Sequence, residues 1–340
     1  MRPDYSEMAP LLKEFGPKHS IFVPGQRLRM NVVPMFLNIF VPWGIFLFCC
    51  GITSFWVMYA HEGVAWGLIG GVFALCFVLI GMALWARRYE SDPTWFTYSA
   101  AIVLIMAVAG TIAGRGNFKG FAEPYFQVKD LKTVTGVDAS FTPGKNVMDG
   151  GIFHFAAGNH LDETMSWHFK YKTLYCVAPI ITNGTKPLSQ EYSFWAVGKE
   201  CCSVAASDFR CGAWGKSSRV GGIRLTEAGG GVDLEYFRLA VRQAESLYDI
   251  LAPNPIFLTW SAAPASEVDS WNQQVFKNYL MMAAIALVCT FFFVSIATFG
   301  FSFIGRSRSA YAVEYLDDPD WQQGSGQGRH VDFATKPYSL

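Results

Sequence analysis

Four stretches of the chain are long, apolar and free of Asp, Glu, Lys, Arg and His between their ends: about Val32 to Ala60, Val64 to Ala86, Trp95 to Ala113 and Tyr279 to Ile304. A bilayer core about 30 Å thick needs roughly 20 apolar residues at helical rise, so each run predicts a transmembrane helix. The absence of ionisable groups inside the runs argues against a pump or coupled transporter, which needs them along its pathway. Pro34 and Pro42 predict a kink or local unwinding in the first helix. Small residues four apart mark faces where helices approach closely: Gly67 with Gly71, Ala109 with Ala113, and Gly110 with Gly114. Such faces serve either packing within the chain or lateral assembly. Trp43, Trp56, Trp66, Trp85 and Trp95 lie mostly near run ends, where indole rings anchor at headgroups.

The pattern changes between the third and fourth runs. Short strand-like stretches appear at Gly151 to Ala156, Met165 to Tyr171, Thr173 to Ile181, Tyr192 to Val197 and Ile256 to Trp260, separated by turns. One helical period interrupts them. From Asp233 to Leu251 it places Leu234, Phe237, Val241, Ala244, Leu247, Tyr248 and Leu251 on one face, with Asp233 as N-cap and Pro253 and Pro255 ending it. The segment therefore predicts a mostly antiparallel sheet carrying one amphipathic helix. The fold class is α+β: a four-helix transmembrane bundle, three spans then one, with a folded domain between spans three and four. The expected divisions are an N-tail (1–31), three spans (32–114), the domain (115–277), the last span (278–304) and a C-tail (305–340).

Charge sets the orientation. Arg27 and Arg29 precede the first run, Arg87 and Arg88 follow the second, and Arg306 and Arg308 follow the fourth. Basic flanks stay cytoplasmic. Both termini are then inside, only the turn at His61, Glu62 and Gly63 lies outside between the first two spans, and the domain is exported. The first run lacks the short apolar core and cleavage site of a signal peptide and is expected to be retained. This layout implies a plasma-membrane or secretory and endolysosomal membrane protein. Hydrophobic residues make up 51% of the chain and charged residues 16%, with 27 basic and 27 acidic side chains cancelling. That balance removes the footprint of a nucleic-acid binder.

The exported segment carries Cys176, Cys201, Cys202 and Cys211, an even number that predicts two disulfides in an oxidising compartment. Adjacent Cys201 and Cys202 cannot join each other without strain, so each is expected to bond to Cys176 or Cys211. Cys49, Cys50, Cys76 and Cys289 fall inside the runs and read as packing residues. Asn183-Gly184-Thr185 is an N-glycosylation sequon, predicting a glycoprotein modified at Asn183. His154, His160 and His168, with Asp162 and Glu163 nearby, are metal-ligand types, but their spacing fits no compact motif. No Gly-x-Ser-x-Gly elbow or phosphate loop is present. No cofactor, metal or enzymatic activity is expected.

The N-tail holds Glu7 followed by Leu11 and Leu12, a pattern that resembles the acidic dileucine signal read by clathrin adaptors. The C-tail from Ser307, with Asp317, Asp318 and Asp320 beside Trp321 and then Gly324 to Gly328, is expected to be disordered. Four spans with a large disulfide-bearing loop before the last, and the pair Cys201-Cys202, resemble the layout of the tetraspanins, although Ser203 stands where that family has glycine. Phe194-Trp195-Ala196-Val197-Gly198, Cys201-Cys202 and Asp208-Phe209-Arg210-Cys211-Gly212 are similar to uncharacterised multi-span proteins of unicellular algae such as dinoflagellates. The expected function is a structural or organising membrane glycoprotein that binds the bilayer and assembles with itself or a membrane-protein partner. The alternative is a channel or transporter accessory subunit, or a ligand-binding receptor.

Overall fold

A computed structural model describes residues 32–89, 94–182, 187, 191–205, 208–215 and 221–316. Four of its helices are long and apolar enough to cross a membrane, within Met35–Ser54, Glu62–Trp85, Phe96–Lys129 and Pro264–Phe299. In chain order the helical elements before the sheet are α1 (Val32–Ser54), α2 (Trp56–Ala60), α3 (Glu62–Tyr89), α4 (Thr94–Asn117) and α5 (Glu123–Lys129). The first apolar run is broken where its sequence gives no warning. α1 continues through Pro42 without a break and stops at Ser54; Phe55 is extended and α2 starts afterwards.

Apolar runs mark what lipid tolerates, not where a helix ends. α4 passes the expected boundary at Ala113, and a π-helical turn, Phe118–Ala122, leads directly into α5. Pro124 near the start of α5 accounts for the turn: it has no N–H, and its ring crowds the carbonyl one turn back, which favours a wider winding. The final helix, α8 (Pro264–Leu316), begins well before the expected start at Tyr279. It also makes Ser307 to Leu316 helical rather than disordered, while residues 317–340 lie outside the described part.

Between α5 and α8 lie β1 (Lys132–Val137), β2 (Gly150–Phe155), β3 (Asn159–Leu161), β4 (Trp167–Tyr171), β5 (Thr173–Thr182), β6 (Phe194–Lys199), β7 (Gly221–Arg224), a short α6 (Glu227–Gly230), α7 (Asp233–Tyr248) and β8 (Ile256–Ser261). They form an eight-stranded sheet ordered β1-β2-β7-β8-β6-β5-β3, with β4 also pairing β5. The sheet is mostly antiparallel, as expected, with two parallel pairings, β1 with β2 and β6 with β8.

Alternation along the central strands buries both faces. Leu174, Cys176, Ala178 and Ile180 of β5 join Phe194, Ala196, Leu258 and Trp260 on one face, under the segment that carries Phe209 and Cys211. Tyr175, Val177, Trp195, Val197 and Phe257 face the other way and pack on Phe237, Ala240, Val241 and Ala244 of α7. Leu247 and Leu251, expected on that buried face, are 53% and 56% exposed instead. α7 ends at Tyr248, Asp249 is left-handed, and Ile250 and Ala252 enter the core in their place.

The chain divides into two compact units. One comprises the described residues of 1–43, 75–105 and 286–340; the other comprises 44–74 and 106–285. In the second unit, the sheet is continuous with its helical stems. Two residues separate α5 from β1, and two separate β8 from α8. Val128 of α5, Ile152, Ile223 and Val268 of α8 form a shared buried cluster. Asn117, buried, donates to the Val275 carbonyl at 3.0 Å and accepts from Asn278 at 3.2 Å. The Tyr59 hydroxyl donates to Asp130 at 2.6 Å.

Candidate functional site

The cysteines come together around one cross-strand pair. Cys176 of β5 stands opposite Gly198 of β6. β6 ends in a turn at Glu200, whose φ is +54°, and the chain then delivers Cys201, Cys202 and, further along, Phe209 and Cys211 to the same face. Cys176 is bonded to Cys202 and Cys201 to Cys211, with Cα separations of 5.9 and 5.2 Å. The loop between them is tied by Asp208, which accepts the Ser203 N–H at 2.6 Å; that bond lowers the Asp208 carboxyl from its ordinary pKa. The sulfurs of Cys176, Cys201 and Cys211 lie within 4.8 Å of one another. Paired as disulfides they offer no thiolates, so this is a covalent staple and would hold a metal only after reduction.

The histidines are dispersed. His154 lies on β2 opposite Gly221, His160 on β3 opposite Ile181, and His168 on β4 opposite Cys176. His168 stacks on Trp167 with ring centroids 5.1 Å apart.

Trp167 also borders the outer side of α7, whose inner side is fully engaged with the sheet. Its indole N–H donates to Gln243 at 3.2 Å. Leu239, Arg242, Ser246 and Leu247 complete an open groove there. Leu239 and Leu247 are both solvent-exposed on this flank. Sequence reasoning placed Leu247 on the buried face, and so missed a surface that joins a tryptophan, an arginine and two leucines. At the first residue of the helix, Tyr175 donates to Asp233 at 2.8 Å, and Lys199 is ion-paired with the same carboxylate. Burial first and then the Asp233 bond push the Tyr175 pKa up to about 12.

A smaller cavity of about 260 Å³ sits where the π-helical turn meets β7, with Phe121, Pro124 and Trp271 as apolar walls. Arg224, at its edge, donates to the carbonyls of Met148 and Gly150, and burial pulls its pKa below the usual arginine value.

In the first unit, α1, α3 and α4 enclose an apolar cavity of about 510 Å³. Pro42, Ala83, Ala100 and Val103 line it together with Asn38 and Ser99. The Ser99 hydroxyl donates to Asn38 Oδ1 at 2.5 Å, and Asn38 is only 6% exposed. Asn38 is the single carboxamide in the four apolar runs, which is the signal by which sequence alone could have found it.

Gly110 and Gly114 of α4 lie against α1. A Cβ on Gly110 would come within 2.7 Å of the Phe46 carbonyl oxygen, and one on Gly114 within 2.6 Å of the Cys50 carbonyl oxygen. Ala109 and Ala113 beside them are half-buried. Gly67 and Gly71 on α3 have open space where a side chain would project. Asn183, Glu7, Leu11 and Leu12 lie outside the described residues. No family model matches the chain, and neither does any curated protein or solved structure.

Proposed function

We propose that this chain is an integral membrane organising protein, anchored by its four apolar helices with both termini cytoplasmic, whose exported domain contacts a second copy or another membrane protein through the outer flank of α7. The observation that carries the reading is that flank: Leu239 and Leu247 are exposed beside Trp167 and Arg242, on a helix whose inner face is already filled. Tryptophan, arginine and clustered aliphatics are the side chains that anchor protein interfaces. The short joins between the helical stems and the sheet support the same role, because two-residue links leave no long flexible tether between them. A glycan at Asn183 and adaptor reading of Glu7, Leu11 and Leu12 belong to this proposal as further features of an exported, trafficked glycoprotein.

The test uses the full chain in native membranes with a photo-crosslinking residue at position 247. A discrete crosslinked species is expected, and Leu239→Glu should abolish it while both disulfides still form. A strictly monomeric protein in mild detergent, with no crosslinked species in membranes, would overturn the reading. Glycosidase digestion that shifts the mass of the wild type but not of Asn183→Gln checks the exported topology.

A further inference from the structure

The cavity between α1, α3 and α4 has a chemistry that selects its occupant. Among the described residues no charged side chain lines it, so a phosphate or ammonium headgroup placed there would be buried without a counter-ion from them. Its polar content is concentrated in Asn38 and Ser99, an amide that both donates and accepts beside a hydroxyl that does the same. A single hydroxyl on the ligand matches that pair.

Depth points the same way. Asn38 lies six residues into the apolar run that starts at Val32, and Ser99 four residues into the one that starts at Trp95. At helical rise they lie about 9 Å and about 6 Å inside the apolar boundary. The cavity continues inward to Pro42 and Val103, about 15 Å and about 12 Å from the same boundary at that rise. Its polar end is therefore nearer the headgroups than its apolar floor, the order in which an amphipathic lipid lies. Ala83 and Ala100, 4% and 6% exposed, provide room without flexible side chains. A half-open cavity of about 510 Å³ lies in the range of small-molecule sites. It favours a fused-ring body over an acyl chain, whose rotors would have to be frozen on binding.

We propose that this cavity binds one sterol-class lipid, a rigid polycyclic body with a single hydroxyl, the hydroxyl hydrogen-bonded to the Asn38–Ser99 pair and the rings against Pro42, Ala100 and Val103. The proposal rests on the membrane embedding proposed above and is independent of the partner surface on α7. The experiment reconstitutes the full chain in phosphatidylcholine vesicles with a diazirine-bearing cholesterol probe and maps labelled peptides by mass spectrometry. Label should fall on residues of α1 and α4 around Asn38 and Ser99, and excess unlabelled cholesterol should reduce it at least tenfold. Diacylglycerol and phosphatidylserine should not compete. Ser99→Ala should weaken labelling several-fold, and Ala100→Phe should abolish it by filling the cavity. Should either variant misfold, competition on the wild type decides alone. Label spread evenly over all four apolar helices, or competed equally by diacylglycerol, overturns the sterol site. Extraction of the protein by alkaline carbonate would instead overturn the membrane embedding, which separates the two failures.

Discussion

Gly198 has no side chain because two sulfurs occupy its place. A Cβ there would stand 2.5 Å from Cys211 Sγ and 2.6 Å from Cys201 Sγ. Gly198→Ala is expected to push the Cys201–Cys211 bridge apart while leaving Cys176–Cys202 formed. Non-reducing peptide mass spectrometry should find free thiol at Cys201 and Cys211, with a stability loss of about 2–4 kcal/mol, the usual range for a native disulfide. Unchanged pairing in the variant would contradict the geometry. The residue types and the exclusion of a vicinal bond are readable from sequence, and they leave two pairings open. What chooses between them is the register that sets Cys176 against Gly198, and register depends on strand pairing that no local pattern displays. Tyr175 supports a second prediction. Its pKa is raised to about 12 from an ordinary 10.0, so the folded state favours the neutral phenol. The stabilisation is complete below pH 10 and is lost as pH rises through about 12. Tyr175→Phe should therefore lose less stability than wild type between those pH values, followed by near-UV circular dichroism. Parallel alkaline curves for the two proteins would refute it.

At the scale of elements, helical packing separates glycines that look alike in sequence. Spacing of four marks Gly67 with Gly71 and Gly110 with Gly114 equally, but only the rotation of each helix decides which pair meets a neighbour. Gly114→Ala must displace the α1 backbone at Cys50 and is expected to cost about 1–3 kcal/mol, as overpacking does. Gly71→Ala should change monomer stability by no more than about 0.5 kcal/mol, because its Cβ enters open space. Thermal unfolding of the detergent-solubilised proteins checks both, and equal destabilisation by the two would sink the assignment of faces. α7 shows a similar limit of periodicity. Phe237, Val241 and Ala244 were readable as its buried stripe, and they are buried. Leu247 and Leu251 continued that period in sequence, yet both are exposed; beyond Tyr248 the left-handed Asp249 ends the helix, and Ile250 and Ala252 turn inward where Leu251 was expected. The flank proposed as an interface was thus hidden by extending a correct pattern a few residues too far. The cavity pair was half visible. Asn38 stands out as a lone amide, whereas Ser99 lies 61 residues away and acquires its meaning only from helix packing.

For the molecule as a whole, the apolar runs and the α+β character of the middle segment were legible, because hydrophobic period and length are local. The parallel pairing of β6 with β8 was not, since β7 and α7 intervene between them in the chain. Nor was the continuity of stems and sheet. The segments from Arg115 to Lys129 and from Pro264 to Lys277 fall within the expected domain without a predicted element, but they are helical and contribute Val128 and Val268 to its core. That continuity has a measurable consequence within the second unit. Val128, Ile152, Ile223 and Val268 belong to two stems and two strands and are each 7% exposed or less. A defect placed among them must weaken stem and sheet together, because no flexible linker lets one relax without the other. Val268→Ala removes buried methyl groups and should cost about 1–3 kcal/mol. Hydrogen exchange of the full chain should then show amides of residues 123–129 and 264–275 accelerating by the same factor as those of β2 and β7, in a single cooperative opening. If the stems open first and the sheet retains wild-type protection, stem and sheet are joined by a hinge, and their shared core is not a single cooperative unit.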